Sequence, residues 1–194
     1  MGFSGHVVFG RAAGPLIDAP VFAALDDKAK SRVDVWWPRP GGWQTLALPH
    51  GEWPDEHLSA LVTWTGAPVC VADVYDSDMA EVTGLAPGGG EWSAVLNLDI
   101  AAALWAEHGG DVEDTALWVG TPAFDEAVRL ARVELDGAVP GSAEGALAWA
   151  AAAGFPAAAT QREVEELLRS REVFVEDLFA GLLDRLGIPP PAAP

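Results

Sequence analysis

Asp73, Asp76 and Asp78, followed by Glu81, put four carboxylates into nine residues at the end of an apolar run. Oxygen-rich groups of this kind hold hard divalent cations, and a metal held there could activate water. The spacing is not that of an EF-hand. Counted from Asp76, the third ligand position falls on Ala80 and the obligatory glycine on Glu81. The competing reading is a turn, in which Asp76 or Ser77 hydrogen-bonds to nearby backbone N–H groups. His50, Glu52, Asp55, Glu56 and His57 form a second group, two imidazoles and three carboxylates within eight residues. Zinc or manganese accepts such donors, but the histidines are seven residues apart and match no helical ligand pair. Asp55 and Glu56 are also what a helix N-terminus favours. The metal candidates are thus Asp73, Asp76, Asp78, His50 and His57, and no cofactor beyond a divalent cation is implied.

Tryptophan supplies the third group. Trp36 and Trp37 are adjacent, Trp43 follows a Pro-Arg-Pro-Gly-Gly break, and Trp53 lies ten residues on. Neighbouring residues on a strand point to opposite faces, so one ring of the Trp36–Trp37 pair enters the core. The other can cover a second face of the sheet, or stack on Arg39, on a sugar or on a partner's arginine. A pocket around Trp36, Trp43 and Trp53 would suit a small ligand.

Several catalytic chemistries have no support. The chain holds no phosphate-binding Gly-x-x-x-x-Gly-Lys-Ser/Thr loop, no Gly-x-Gly-x-x-Gly, no Gly-x-Ser-x-Gly and no His-Glu-x-x-His. Cys70 is the single cysteine and sits in an apolar strand, where burial raises a thiol's pKa, so it is a poor nucleophile and forms no internal disulfide. No lysine follows Lys30, which excludes Schiff-base chemistry beyond it.

Charge is the broadest signal. The formal net charge is −18, and residues 40–128 contain no lysine or arginine against fifteen aspartates and glutamates. Such a surface invites cations or a basic partner. It disfavours nucleic acid and anionic membranes, both of which need clustered Lys and Arg. A host-wide bias toward arginine and acidic residues would explain the composition, though less well the confinement of basic residues to the two ends. No run of apolar residues is long enough to span a membrane and no secretory signal opens the chain, so a cytoplasmic location is expected.

The elements that would position these groups follow from periodicity and punctuation. Strands are expected at residues 6–9, 32–37 (with Val33 and Val35 inward), 43–48, 69–75, 80–85 and 92–98. Helices are expected at 20–31, at 55–64 closed by Gly66, from Asp99 as cap, from Thr121-Pro122, and from Ser142 to Gly154. Thr160 and Glu163 make a capping box for a last helix over 161–186. Unbroken, that helix would be about 39 Å long at about 1.5 Å per residue. It therefore breaks or pairs with a second copy.

The whole reads as an α+β protein. A mostly antiparallel sheet with flanking helices occupies residues 1–98, a helical region packed on it occupies 99–188, and residues 189–194 form a disordered tail. The expected function is that of a non-catalytic acidic interaction protein, an inhibitor, antitoxin-like protein or regulatory adaptor. Its partner would be a basic protein, met by Trp36, Trp37, Trp43, Trp53, Glu52, Asp55, Glu56, Asp73, Asp76 and Asp78. The alternatives are a divalent-cation-binding protein or metal-dependent hydrolase built on Asp73, Asp76 and Asp78, and a small-ligand binder. A homodimer through the last helix is compatible with any of these.

Overall fold

Six stretches rich in β-branched and aromatic residues pair into one antiparallel sheet of order β2-β3-β1-β4-β5-β6. They are β1 (Gly5–Arg11), β2 (Asp34–Trp36), β3 (Trp43–Pro49), β4 (Val69–Tyr75), β5 (Met79–Leu85) and β6 (Glu91–Leu96). The helices are α1 (Asp27–Lys30), α2 (Glu56–Thr65), α3 (Leu98–Trp105), α4 (Pro122–Ala152), α5 (Gln161–Leu168) and α6 (Val175–Arg185). The computed structural model describes residues 2–25, 27–31, 33–36, 39–49, 53–54, 56–106, 118–155 and 159–190, with only the backbone of Asp27, Ala29 and Trp36. The fold class is α+β, as composition and periodicity imply.

The sheet is covered unequally on its two faces. On one face Val7, Phe9, Cys70, Val74, Val82 and Leu96 meet α4, α5 and α6 through Val139, Trp149, Leu168, Phe179 and Leu182. On the other, Val8, Leu46, Leu48, Val69 and Val71 lie under Leu16, Phe22 and the α2 residues Leu58, Leu61 and Val62. Central strands β1 and β4 are therefore apolar on both faces and read as continuous runs.

Four local expectations change. Residues 122–152 form one helix, not two, despite Gly137, Pro140 and Gly141. A helix-interior proline costs roughly 3 kcal/mol, while each large apolar side chain buried returns about 1.5–3 kcal/mol. Val139 and Trp149, on one stripe either side of the expected break, are 3% and 2% exposed. Their packing outweighs the local penalty. Asn97, not Asp99, is the N-cap of α3; its φ of 58° suits asparagine, and its carbonyl accepts from the N–H groups of Ile100 and Ala101. The expected helix at 20–31 is a 3₁₀ turn at Pro20–Phe22 followed by the short α1. Val35 is 55% exposed rather than inward, since no described element covers that end of the three-residue β2.

The last helical stretch does break, into α5 and α6, and the capping box is present: Thr160 Oγ1 accepts from the Glu163 N–H, and Glu163 accepts from the Thr160 N–H. Arg39 fixes the far end of α6. Its buried guanidinium donates to Asp184 Oδ1 at 2.6 Å and to the Pro189 and Ile188 carbonyls at 3.0 and 3.4 Å. No helix among the described residues is long and apolar enough to cross a membrane.

Candidate functional site

The register of the strands assembles a row that no local spacing reveals. His6 of β1 pairs with Asp73 of β4, Asp73 with Glu81 of β5, and Glu81 with Val95 of β6. Paired residues share a face, so one imidazole and two carboxylates lie side by side. The row sits beyond the apolar patch under α2, where Glu81, Ser93 and Glu91 are exposed. His6 Nδ1 is 3.2 Å from Asp73 Oδ1, close enough for attraction when the ring is protonated, although the two atoms are not aligned for a hydrogen bond. The Tyr75 hydroxyl donates to Asp73 Oδ2 at 3.0 Å. Burial, then the hydrogen bond and charge of Asp73, push the Tyr75 phenol up to about 12. Burial and, after it, the facing charge of Asp73 raise the Glu81 carboxyl above its ordinary range. Like charges directly opposite each other on a sheet destabilise it.

The two other aspartates of the cluster go elsewhere. Asp76 and Ser77 have φ of 50° and 59°, and the Asp78 N–H donates to the Tyr75 carbonyl at 2.9 Å, which makes 75–78 a type I′ hairpin turn. Asp76 Oδ1 accepts from the Gly2 N–H at 2.9 Å. Ser77 accepts from the Phe3 N–H and donates to Glu176 Oε1, both at 2.7 Å, while its carbonyl accepts from the Val175 N–H. The turn thus fastens the chain's start to α6. Asp73, Asp76 and Asp78 do not converge: among the described residues no three His, Cys, Asp or Glu side chains are placed to share a metal ion.

Of the tryptophans expected at the site, Trp43 lies in the core and Trp53 lines a groove. Trp43, expected at a partner surface, is 2% exposed; it stacks on Phe9 at 4.9 Å and meets Phe155 at 5.6 Å beneath the helical layer. Arg11 lies over its ring, at 5.7 Å. Trp53 is half-buried between His6 at 5.5 Å and the edge of His57 at 5.3 Å. With Leu58, Val71, Thr83, Leu85 and Glu91 it lines a groove of about 430 Å³ between α2 and the open sheet face. Glu56 is exposed in the first turn of α2. Trp37, His50, Glu52 and Asp55 lie outside the described residues, as does the side chain of Trp36.

Two features escaped sequence reasoning. His6 reads as an isolated histidine until the pairing of β1 with β4 sets it against Asp73. Val173 and Phe174 are 78% and 56% exposed beside the Ser77 turn. Their one signal is that they fall outside the three- and four-residue spacing of the helices around them.

The arrangement of cations completes the site. Every described arginine ion pair uses a carboxylate of α3 to α6: Asp99, Glu126, Asp136, Glu163, Glu165, Glu166 or Asp184. None reaches Asp73, Asp76, Asp78, Glu81 or Glu91 among the described residues. Within them His6 is the one basic side chain set against a sheet carboxylate, that of Asp73. No protein-family model matches the chain, and neither a curated protein nor a solved structure shows significant similarity to it.

Proposed function

We propose that this chain is a non-catalytic interaction protein whose open sheet face receives a basic protein. One observation carries the reading: Asp73 and Glu81 face each other across β4 and β5, the Glu81 carboxyl is held above its usual range, and no described Lys or Arg offsets them. A partner's ammonium or guanidinium group placed between the two carboxylates would relieve their repulsion on binding. Opposite charge would speed association, and the half-buried Trp53 beside the Val71–Leu85 groove offers an apolar anchor for a flanking side chain. Inhibitor, antitoxin-like and adaptor roles all use a surface of this kind.

The test is affinity capture at low and high salt, comparing the wild-type chain with an Asp73→Asn/Glu81→Gln double variant. A basic protein, identified by mass spectrometry, retained by the wild type and lost from the variant would support the reading. Equal retention of every protein by both forms, or retention of none that is basic, would refute it.

A further inference from the structure

We infer that the partner's basic segment binds in extended form along β6, as a seventh strand of the sheet. This rests on the reading above that the partner is basic, and adds where and how it docks. β6 is one of the two sheet edges, six residues long, paired to β5 without a bulge. It contains no proline, lysine or arginine. Among the described residues no backbone or side-chain group hydrogen-bonds to its outer side. Natural sheets guard such edges with prolines, lysines, bulges or very short strands, because an open ladder templates strand addition. The opposite edge obeys that rule, since β2 has only three residues. The edge of β6 is six residues long and carries one charge, Glu91 at its first residue, which repels an acidic strand and attracts a basic one.

Charge selects the occupant. A second copy would bring another net −18 against the same acidic face, so self-pairing is opposed. A basic strand is favoured. On the open face Glu91 and Ser93 are exposed and Glu81 stands one strand inward, within reach of long cationic side chains. On the other face Trp92 and Ala94 lie under α4, which approaches so closely that a Cβ on Gly145 would stand 2.6 Å from the Trp92 Cβ. The added strand is therefore two-sided, with Lys or Arg at alternate positions facing the carboxylates and small apolar residues along α4.

The probe is a blocked seven-residue peptide, Lys-Val-Arg-Val-Lys-Val-Arg, set against Lys-Pro-Arg-Pro-Lys-Pro-Arg, which has the same charge but cannot complete a ladder. Binding is followed by fluorescence polarisation, and amide hydrogen exchange of residues 91–96 is read by NMR. The valine peptide is expected to bind and to slow exchange in β6, and the proline peptide to do neither. Ser93→Lys places a like charge beside the incoming cations and should weaken the valine peptide about two- to fivefold. Ala148→Lys, the same charge change on the solvent face of α4, should have a much smaller effect. If both peptides bind alike, or Ser93→Lys weakens binding no more than Ala148→Lys, strand addition is overturned while the basic-partner reading survives. If neither peptide binds even at low salt, both fail together.

Discussion

Supplying the missing cation from within the chain should stabilise it. In Glu81→Lys, an ammonium group takes the place of the carboxylate that faces Asp73. Directly opposed side chains on an antiparallel sheet have Cβ atoms about 4.5–5.5 Å apart, and such charge pairs are worth roughly 0.2–1 kcal/mol in either sign. Two unit charges about 5 Å apart in water interact by about 0.8 kcal/mol, before salt screening and side-chain motion reduce it. Glu81 is exposed enough that the lower half of that range applies. Removing the repulsion with Glu81→Gln is then expected to add about 0.5 kcal/mol, and reversing it with Glu81→Lys about 1 kcal/mol. For a chain of this size, about 2–4 °C per kcal/mol, the melting midpoint rises by roughly 1–2 °C and 2–4 °C respectively.

The pH dependence has a definite sign. Glu81 binds its proton more tightly folded than unfolded, so its ionisation opposes folding. The repulsion is absent below the ordinary glutamate pKa and is fully developed once pH has risen through the raised folded value. The advantage of Glu81→Gln over the wild type should therefore appear at pH 7.5 and vanish near pH 3.5, measured by calorimetry in matched salt. Because the molecule carries net −18, any added positive charge relieves some general repulsion. Glu144→Lys, at an exposed position on α4, measures that background. The argument is refuted if Glu81→Lys stabilises no more than Glu144→Lys, or if the Glu81→Gln gain persists unchanged at pH 3.5.

Arg39→Ala should cost about 3 kcal/mol, since it leaves the Ile188 and Pro189 carbonyls beyond α6 without their buried donor, whereas Asp184→Asn should cost less than about 1 kcal/mol, because an amide oxygen still accepts from the guanidinium and the two carbonyls remain its partners. Equal losses in urea denaturation would mean that the ion pair, not the carbonyl capping, holds the segment. Cys70 is fully buried and its thiol is pushed far up by burial alone, so it should resist alkylation at pH 8 until the protein unfolds. Labelling of the folded protein at the rate of a free thiol would contradict the packing of β4.

The sheet was legible because its strands are bounded by strong punctuation. Pro38 to Gly42, Gly66 and the Gly88-Gly89-Gly90 run each separate apolar stretches whose period is two or whose interior is continuous. The helical half misled where local and tertiary preferences conflict. Gly137, Pro140, Gly141 and Ser142 carry every mark of a stop and a restart, yet Val139, Ala143, Ala146 and Trp149 form one buried stripe through them. Sequence shows the penalty at Pro140; only the assembled core shows what offsets it. The break between α5 and α6 is the reverse case. Nothing between Arg169 and Phe174 is a strong helix breaker, and the chain turns where the Val175 N–H finds the Ser77 carbonyl, almost a hundred residues away in sequence.

The same separation governs the site. Asp76 and Ser77 do what their local chemistry favours and make a turn. Asp73 and Glu81 acquire meaning only through the register that sets β1 and β5 against the two sides of β4, and that register brings in His6 from the far end of the chain. The absence of basic residues from 40–128 then takes a spatial form. Arg129, Arg132, Arg162, Arg169 and Arg185 pair with carboxylates of α3 to α6, at helical spacing or between neighbouring helices, and Arg39 pairs with Asp184 of α6; of the described arginines of the helical region only Arg171 makes no ion pair. A host-wide compositional bias would thin cations everywhere and leave acids of sheet and helices alike short of partners. Instead the helices pair several of their acids, while His6 is the one basic side chain set against a described sheet carboxylate. That segregation, rather than the total of −18, is what supports the proposal of a basic partner for the open face.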